Sequence, residues 1–301
     1  MPIFGQDIHS MALPLDRRPL IKQGWARALL LLGVYIAVSL CFGLLINVFT
    51  LKKSIAFTAF TEPALNSPAV QLWLTASLFA AIGCVWLFRK YIDREKVNLL
   101  PWKGSSIHPD GAIGFLLGLA LVCSGSLILF FTRHLQWTGI ELDLPELFIG
   151  ALALMAAAVG EEWVFRGYVL RNLLQSFNKT TALCASALLF TLAHSNNPDV
   201  HPIALVNIFL AGMITGLGYM QTRNLWFSIL FHFSWNFFQG PVLGFPVSGL
   251  AARSVFILET EGNPIITGGN FGFEASVVCA ILLLLALILW QYLKPRPSGR
   301  Y

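Results

Sequence analysis

Three short stretches of this chain carry polar side chains inside otherwise apolar sequence. The first is GEEWVFRGYVL (160–170), where Glu161, Glu162 and Arg166 follow the charge-free run FIGALALMAAAV. The second, FTLAHSNN (190–197), holds Phe190 and His194. The third, HFSWNFFQ (232–239), holds His232 and Asn236. A carboxylate, two imidazoles and an amide can hydrolyse an acyl bond in two ways. In one, Glu161 and His194 bind and deprotonate a water, while His232 and Asn236 stabilise the oxyanion of a tetrahedral intermediate. In the other, Glu161, His194 and His232 hold a Zn²⁺ ion that keeps an open position for water. Residue types permit both, so the expected cofactor is either none or Zn²⁺.

Helical spacing divides the first stretch into two tasks. Glu162 and Arg166 are four residues apart and can pair along one face. Glu161 is turned about 100° away from that face. Glu162 and Arg166 therefore read as an internal ion pair that fixes the helix, which leaves Glu161 for other work. Phe190 and His194 share a face of their helix, as do His232 and Asn236.

The elements that carry these residues are set by composition. The chain has 301 residues, 56% of them hydrophobic and 12% charged. Soluble domains are about a quarter charged, so a polytopic membrane protein is expected. The net charge of +5 then marks membrane sidedness, and no nucleic-acid partner is expected. Apolar segments long enough for a helix lie near 28–50, 66–88, 111–132, 145–165, 180–198, 203–222, 225–246 and 275–293. The first is too long for a signal-peptide core and lacks a cleavage site, so it reads as a span. With the N-terminus inside, sixteen of the 20 Lys and Arg residues fall on the cytoplasmic side, as the positive-inside rule requires. Only Lys52, Lys53, Arg133 and Arg253 fall outside.

The expected fold is an all-α polytopic membrane protein of about eight transmembrane helices with both termini cytoplasmic. Its parts are a cytoplasmic segment (1–27), helices one to three (28–144), a catalytic core of helices four to seven (145–246), an external loop (247–274), and a last helix with a cytoplasmic tail (275–301). The external loop is rich in Gly and Asn and either covers the surface or dips back in. Gly212 and Gly216 in the sixth span are expected to let two helices approach closely. The five cysteines, all in apolar runs and without a CxxC pair, read as small buried hydrophobes.

Charged groups in lipid are expensive, about 2.5–3.5 kcal/mol each on insertion scales, so the three polar stretches are expected to face one another or water. Other intramembrane protease types do not fit. The sequence has no HExxH, no GxSxG and no pair of Asp residues in its spans. If spans four and five form a hairpin, Glu161 and His194 lie level about 24 Å from its tip, and His232 joins them if the hairpin protrudes by about 10 Å. The site would then sit in the cytoplasmic half of the membrane, with SNNPDVHP lining a cavity in non-helical form.

EEWVFRG, FTLAH and HFSWN match the patterns EExxxR, FxxxH and HxxxN. In this order on successive membrane helices they resemble the CPBP family, the CAAX prenyl endopeptidase and bacteriocin-processing group also called Abi. The resemblance covers about residues 145–245. It implies an intramembrane endopeptidase in which Glu161 is the water-activating base, His194 its partner, and His232 with Asn236 the oxyanion hole. Glu162, Arg166 and Phe190 would support the site. Both metal-dependent and glutamate-type mechanisms are attached to the family. The implied substrate is a membrane-associated peptide or protein, and the implied location is a bacterial cell membrane, as an integral multi-pass protein in the lipid bilayer. A non-catalytic membrane partner or bacteriocin immunity factor of the same fold is the alternative. A transporter ranks last, because no repeat of matching broken helices is visible.

Overall fold

The computed structural model describes residues 18–51, 65, 67–95 and 109–290. The start of the N-terminal segment, the tail from 291, and Arg17, Lys52, Lys53, Lys96, Lys103, Lys294, Arg296 and Arg300 lie outside the described residues. Among the described residues there are eight helices of twelve residues or more. These are α1 (Gly24–Leu51), α2 (Pro68–Ile92), α3 (Pro109–Phe131), α4 (Leu144–Leu173), α5 (Lys179–Ala193), α6 (Pro202–Thr222), α7 (Trp226–Phe237) and α8 (Val277–Trp290). Five of them, α1 (through Gly24–Ile46), α2, α3, α4 and α6, are long and apolar enough to cross a membrane. The protein is integral to a membrane. Helices α5 and α7 have 15 and 12 residues. They are about 18–22 Å long, short of the ~30 Å hydrocarbon core. Helix α8 is described as far as Trp290.

Local sequence sets where the helices begin. Ser67, Asp143 and Asn178 cap α2, α4 and α5 by accepting from backbone N–H groups three residues on, the usual satisfaction of orphan donors. Pro202 occupies the first turn of α6, where its missing N–H costs nothing. Three helices widen into π turns, α2 at Phe88–Ile92 and two more beside the polar stretches. One is Phe165–Leu170 inside α4, directly after the two glutamates. The other is Phe238–Val242 at the end of α7, where Pro241 interrupts the ladder. Such turns often mark functional sites.

Small residues bring the helices together. In α3, a side chain at Gly114 would strike the Phe227 carbonyl, and one at Gly118 would strike Ser234 Oγ. The backbones of α3 and α7 therefore nearly touch. Gly212 and Gly216 in α6 face Ala187 and Leu183 of α5 in the same way. Helix α8 closes the bundle with Cys279 and Leu283, which join Phe227, Phe231 and Trp235 of α7 in one apolar core. At the other side, Arg27 of α1 pairs with buried Asp93 at 2.6 Å. The Tyr168 hydroxyl donates to the same Asp93 oxygen at 3.2 Å. This cluster ties α1 to the ends of α2 and α4.

The expectation of an all-α fold needs one correction. Strands β1 (Leu135–Ile140) and β2 (Phe256–Thr260) form a two-stranded antiparallel sheet, with a bulge between Trp137 and Gly139. The alternation in LQWTGI is short, and its partner lies far along the chain, so no local hairpin signal exists. The connection from 247 to 276 also packs inward. A side chain at Gly249, whose φ is +84°, would strike the Pro198 carbonyl, and one at Gly272 would strike that of Pro246. Thr267, Phe271, Phe273 and Glu274 are buried.

Candidate active site

Three helices deliver the polar residues to one place. Glu161 and Glu162 come from α4 just before its π turn, His194 caps the C-terminus of α5, and His232 and Asn236 come from α7. Residues after His194 form turns up to the cap of α6, which frees that ring from the helix ladder. A cavity is lined by Glu162, His194, His232 and Asn236 together with Ser248 and Glu274.

The two carboxylates divide between the two imidazoles. His194 Nε2 faces Glu161 Oε2 at 3.6 Å, while His232 Nδ1 lies 3.1 Å from Glu162 Oε1. The tautomers follow from the partners. His194 Nδ1 is 2.8 Å from the Phe190 carbonyl. A carbonyl only accepts, so Nδ1 carries the proton, and in the neutral ring Nε2 presents its lone pair to Glu161. A gap of 3.6 Å is longer than a hydrogen bond, so the two groups face each other without bonding directly. Glu161 Oε2 is shielded and has no hydrogen-bond partner among the described residues. At His232 the carboxylate fixes Nδ1 as the donor and leaves Nε2 as the second ring nitrogen.

Glu162 does more than pair with arginine. Its side chain is 1% exposed, and Oε1 accepts from Arg166 at 2.9 Å as well as from His232. The second Arg166 nitrogen donates to the Gly212 carbonyl at 3.2 Å, reachable because α5 and α6 lie close there. The guanidinium stacks 4.4 Å from the Phe190 ring centre. Phe190 also touches the rings of His194 (4.5 Å) and His232 (6.1 Å). It thus fills the space between the ion pair and both imidazoles. Asn236 is 8% exposed and lies one turn beyond His232.

The structure brings Glu161 to His194, Glu162 to Arg166 and His232, and Phe190 between them, with Asn236 on the same cavity. Among the described residues no three His, Cys, Asp or Glu side chains are grouped to hold a metal ion, and His232 faces Glu162. Two cavity residues escape the sequence reading, Ser248 and Glu274. The one available signal was Glu274 itself, a carboxylate immediately ahead of the last apolar run.

Comparison with known proteins bears on the same segment. Residues 143–238 match the family model of the Rce1-like type II CAAX prenyl endopeptidases. This Rce1-like segment runs from the cap of α4 to just past Asn236, and so contains all three polar stretches. It agrees with the resemblance carried by EExxxR, FxxxH and HxxxN, and supports a membrane protease of the CAAX type. No curated protein matches the chain. Ser248 and Glu274 lie beyond the Rce1-like segment.

Proposed function

We propose that this protein is an integral-membrane endopeptidase of the CAAX-protease type, which hydrolyses a peptide bond with a water activated by Glu161 and His194. The observation that carries this reading is the facing pair of acceptors, Glu161 Oε2 and His194 Nε2 at 3.6 Å, with His194 locked from behind by Phe190. A water between them donates one O–H to each. Glu161 takes the proton as the oxygen attacks the substrate carbonyl. The oxyanion that forms accepts from the Asn236 amide and from Nε2–H of His232. That donor exists when His232 is an imidazolium, for which Glu162 is the counter-charge. The C–N bond then breaks, and the proton on Glu161 passes to the leaving nitrogen. No step in this scheme runs through a metal.

The topology that suits this reading has all eight helices in the bilayer, both termini cytoplasmic, and the site in the cytoplasmic half of a bacterial cell membrane. The short helices α5 and α7 are then completed by the inward-packed turns at 194–201 and 247–276, which is tolerated at membrane depth where backbone lines a cavity. The substrate is a membrane-associated peptide or protein. The test is cleavage of a panel of membrane-tethered peptides by purified protein in nanodiscs, with Glu161→Gln and His194→Ala alongside. Loss of cleavage in both variants supports the proposal. Cleavage at the wild-type rate in either one refutes it. Full complementation of a knockout by Glu161→Gln would point to action by binding instead.

A further inference from the structure

Glu274 has no part in the reaction scheme above. It sits on the turn Phe273–Ala275 that leads into α8, and it is 9% exposed. The Ser248 backbone N–H and hydroxyl both donate to its Oε2, at 3.0 and 2.9 Å. The Asn207 amide of α6 donates to the carbonyls of Glu274 and Ser276, at 2.7 and 2.8 Å. The carboxylate is therefore held in the cavity wall by a built polar frame, in a region where Trp235, Cys279 and Leu283 supply apolar lining.

Its charge is not balanced by the protein. Glu162, the other carboxylate lining this cavity, is neutralised by Arg166. Among the described residues no Lys or Arg forms an ion pair with Glu274. The imidazoles of His194 and His232 are within electrostatic reach, but they serve Glu161 and Glu162. Burying a carboxylate without a cation is costly, and the cost falls when a ligand brings the cation. A second group points the same way. Asn236 is 8% exposed, lines the same cavity, and has no side-chain hydrogen bond among those of the described residues.

We propose that Glu274 selects the substrate by charge: the cavity favours a peptide segment that places a basic side chain against Glu274 and rejects one that carries a carboxylate there. This inference rests on the reading that the cavity receives a peptide, and it assigns a residue outside the Rce1-like segment to specificity.

The test measures equilibrium binding, so that it does not depend on turnover. Fluorescent peptides carry Lys, Gln or Glu at successive positions. They are titrated onto the full-length Glu161→Gln protein in nanodiscs. At one position Lys should bind at least about tenfold tighter than Glu, because like charges juxtaposed in a binding site are strongly disfavoured. Adding Glu274→Gln should collapse the Lys-to-Glu ratio, and adding Glu274→Lys should invert it. Adding Glu274→Asp keeps the sign and guards against misfolding of the charge-changing variants, with thermal melting as the check. The proposal is overturned if no peptide binds, if Lys and Glu bind alike, or if the preference survives Glu274→Gln. Cleavage by the wild-type protein is scored separately. Charge-selective binding without any cleavage would sink the endopeptidase and keep this inference, whereas cleavage with no charge preference would do the reverse.

Discussion

Replacing Arg166 by Met should be among the most destabilising single changes in the protein. The guanidinium is 1% exposed and makes three separate contacts. One nitrogen donates to Glu162 at 2.9 Å, the other donates to the Gly212 carbonyl at 3.2 Å, and the plane covers Phe190 at 4.4 Å. Met occupies much of the same space but supplies none of these. Glu162 would keep one partner, the His232 ring, and its Oε2 has no partner to begin with. Removing one member of a buried ion pair costs about 3–5 kcal/mol, because the other charge is left uncompensated. The lost stacking of a desolvated cation on an aromatic face adds about 1–2 kcal/mol. A loss of about 4 kcal/mol or more is therefore expected, read by reversible SDS unfolding in mixed micelles. Glu162→Gln alone should cost a similar amount. The double variant should cost less than the two singles together, by about 2–3 kcal/mol, since no orphan charge remains. Arg166→Lys should fall between, at about 2 kcal/mol, because an ammonium keeps the charge but not the fork or the plane. If Arg166→Met unfolds within about 1 kcal/mol of wild type, or if the double variant equals the sum of the singles, the pair does not stabilise the site as argued.

Asn236→Ala should lower kcat about 10²–10³-fold with little change in KM, as expected for a donor that acts on the oxyanion. An effect confined to KM would remove it from that role. Cleavage should persist in the presence of a strong zinc chelator, since the site does not group three ligands. Loss of activity with chelator and recovery with added zinc would contradict this. Asp93→Asn leaves Arg27 buried beside a neutral partner and should cost about 3 kcal/mol in the same unfolding assay; an unfolding curve matching wild type would show that α1 is not held there. Gly118→Val forces a branched side chain into Ser234 and the Phe231 carbonyl. It should cost about 1–3 kcal/mol or more, whereas a neutral result would mean that α3 and α7 are not in backbone contact.

The parts of this protein that are written locally were legible from sequence. Each of the eight apolar segments contains a helix, and the pairing of Glu162 with Arg166 follows from their spacing. The separate orientation of Glu161 follows from the same geometry. What escaped was set by distant partners. The motif order could not say which carboxylate meets which imidazole, and the assignment of His232 to Glu162 depends on how α4 and α7 cross. The shortness of α7 was masked by the apolar residues that follow Phe237, which hydropathy counts as span. Strand β1 was hidden because its partner arrives only after four further helices, α4 to α7. Glu274 and Ser248 were placed in a loop, because a Gly-rich stretch gives no sign that φ values near +90° at Gly249 and Gly268 fold it back into the wall of the cavity.

The β1–β2 sheet has a consequence in time. Gln136 and Glu259, whose side chains meet across it, are 123 residues apart. At a synthesis rate of about 5–20 residues per second, the second strand follows the first by roughly 6–25 s. During that interval α4 to α7 can be inserted with their motifs, but the strand that clasps the bundle and the wall that bears Ser248 and Glu274 do not yet exist. A nascent chain would thus own its hydrolytic groups before it owns the part that discriminates among peptides, and ribosome-stalled chains ending just after α7 would show whether the two arrive in that order.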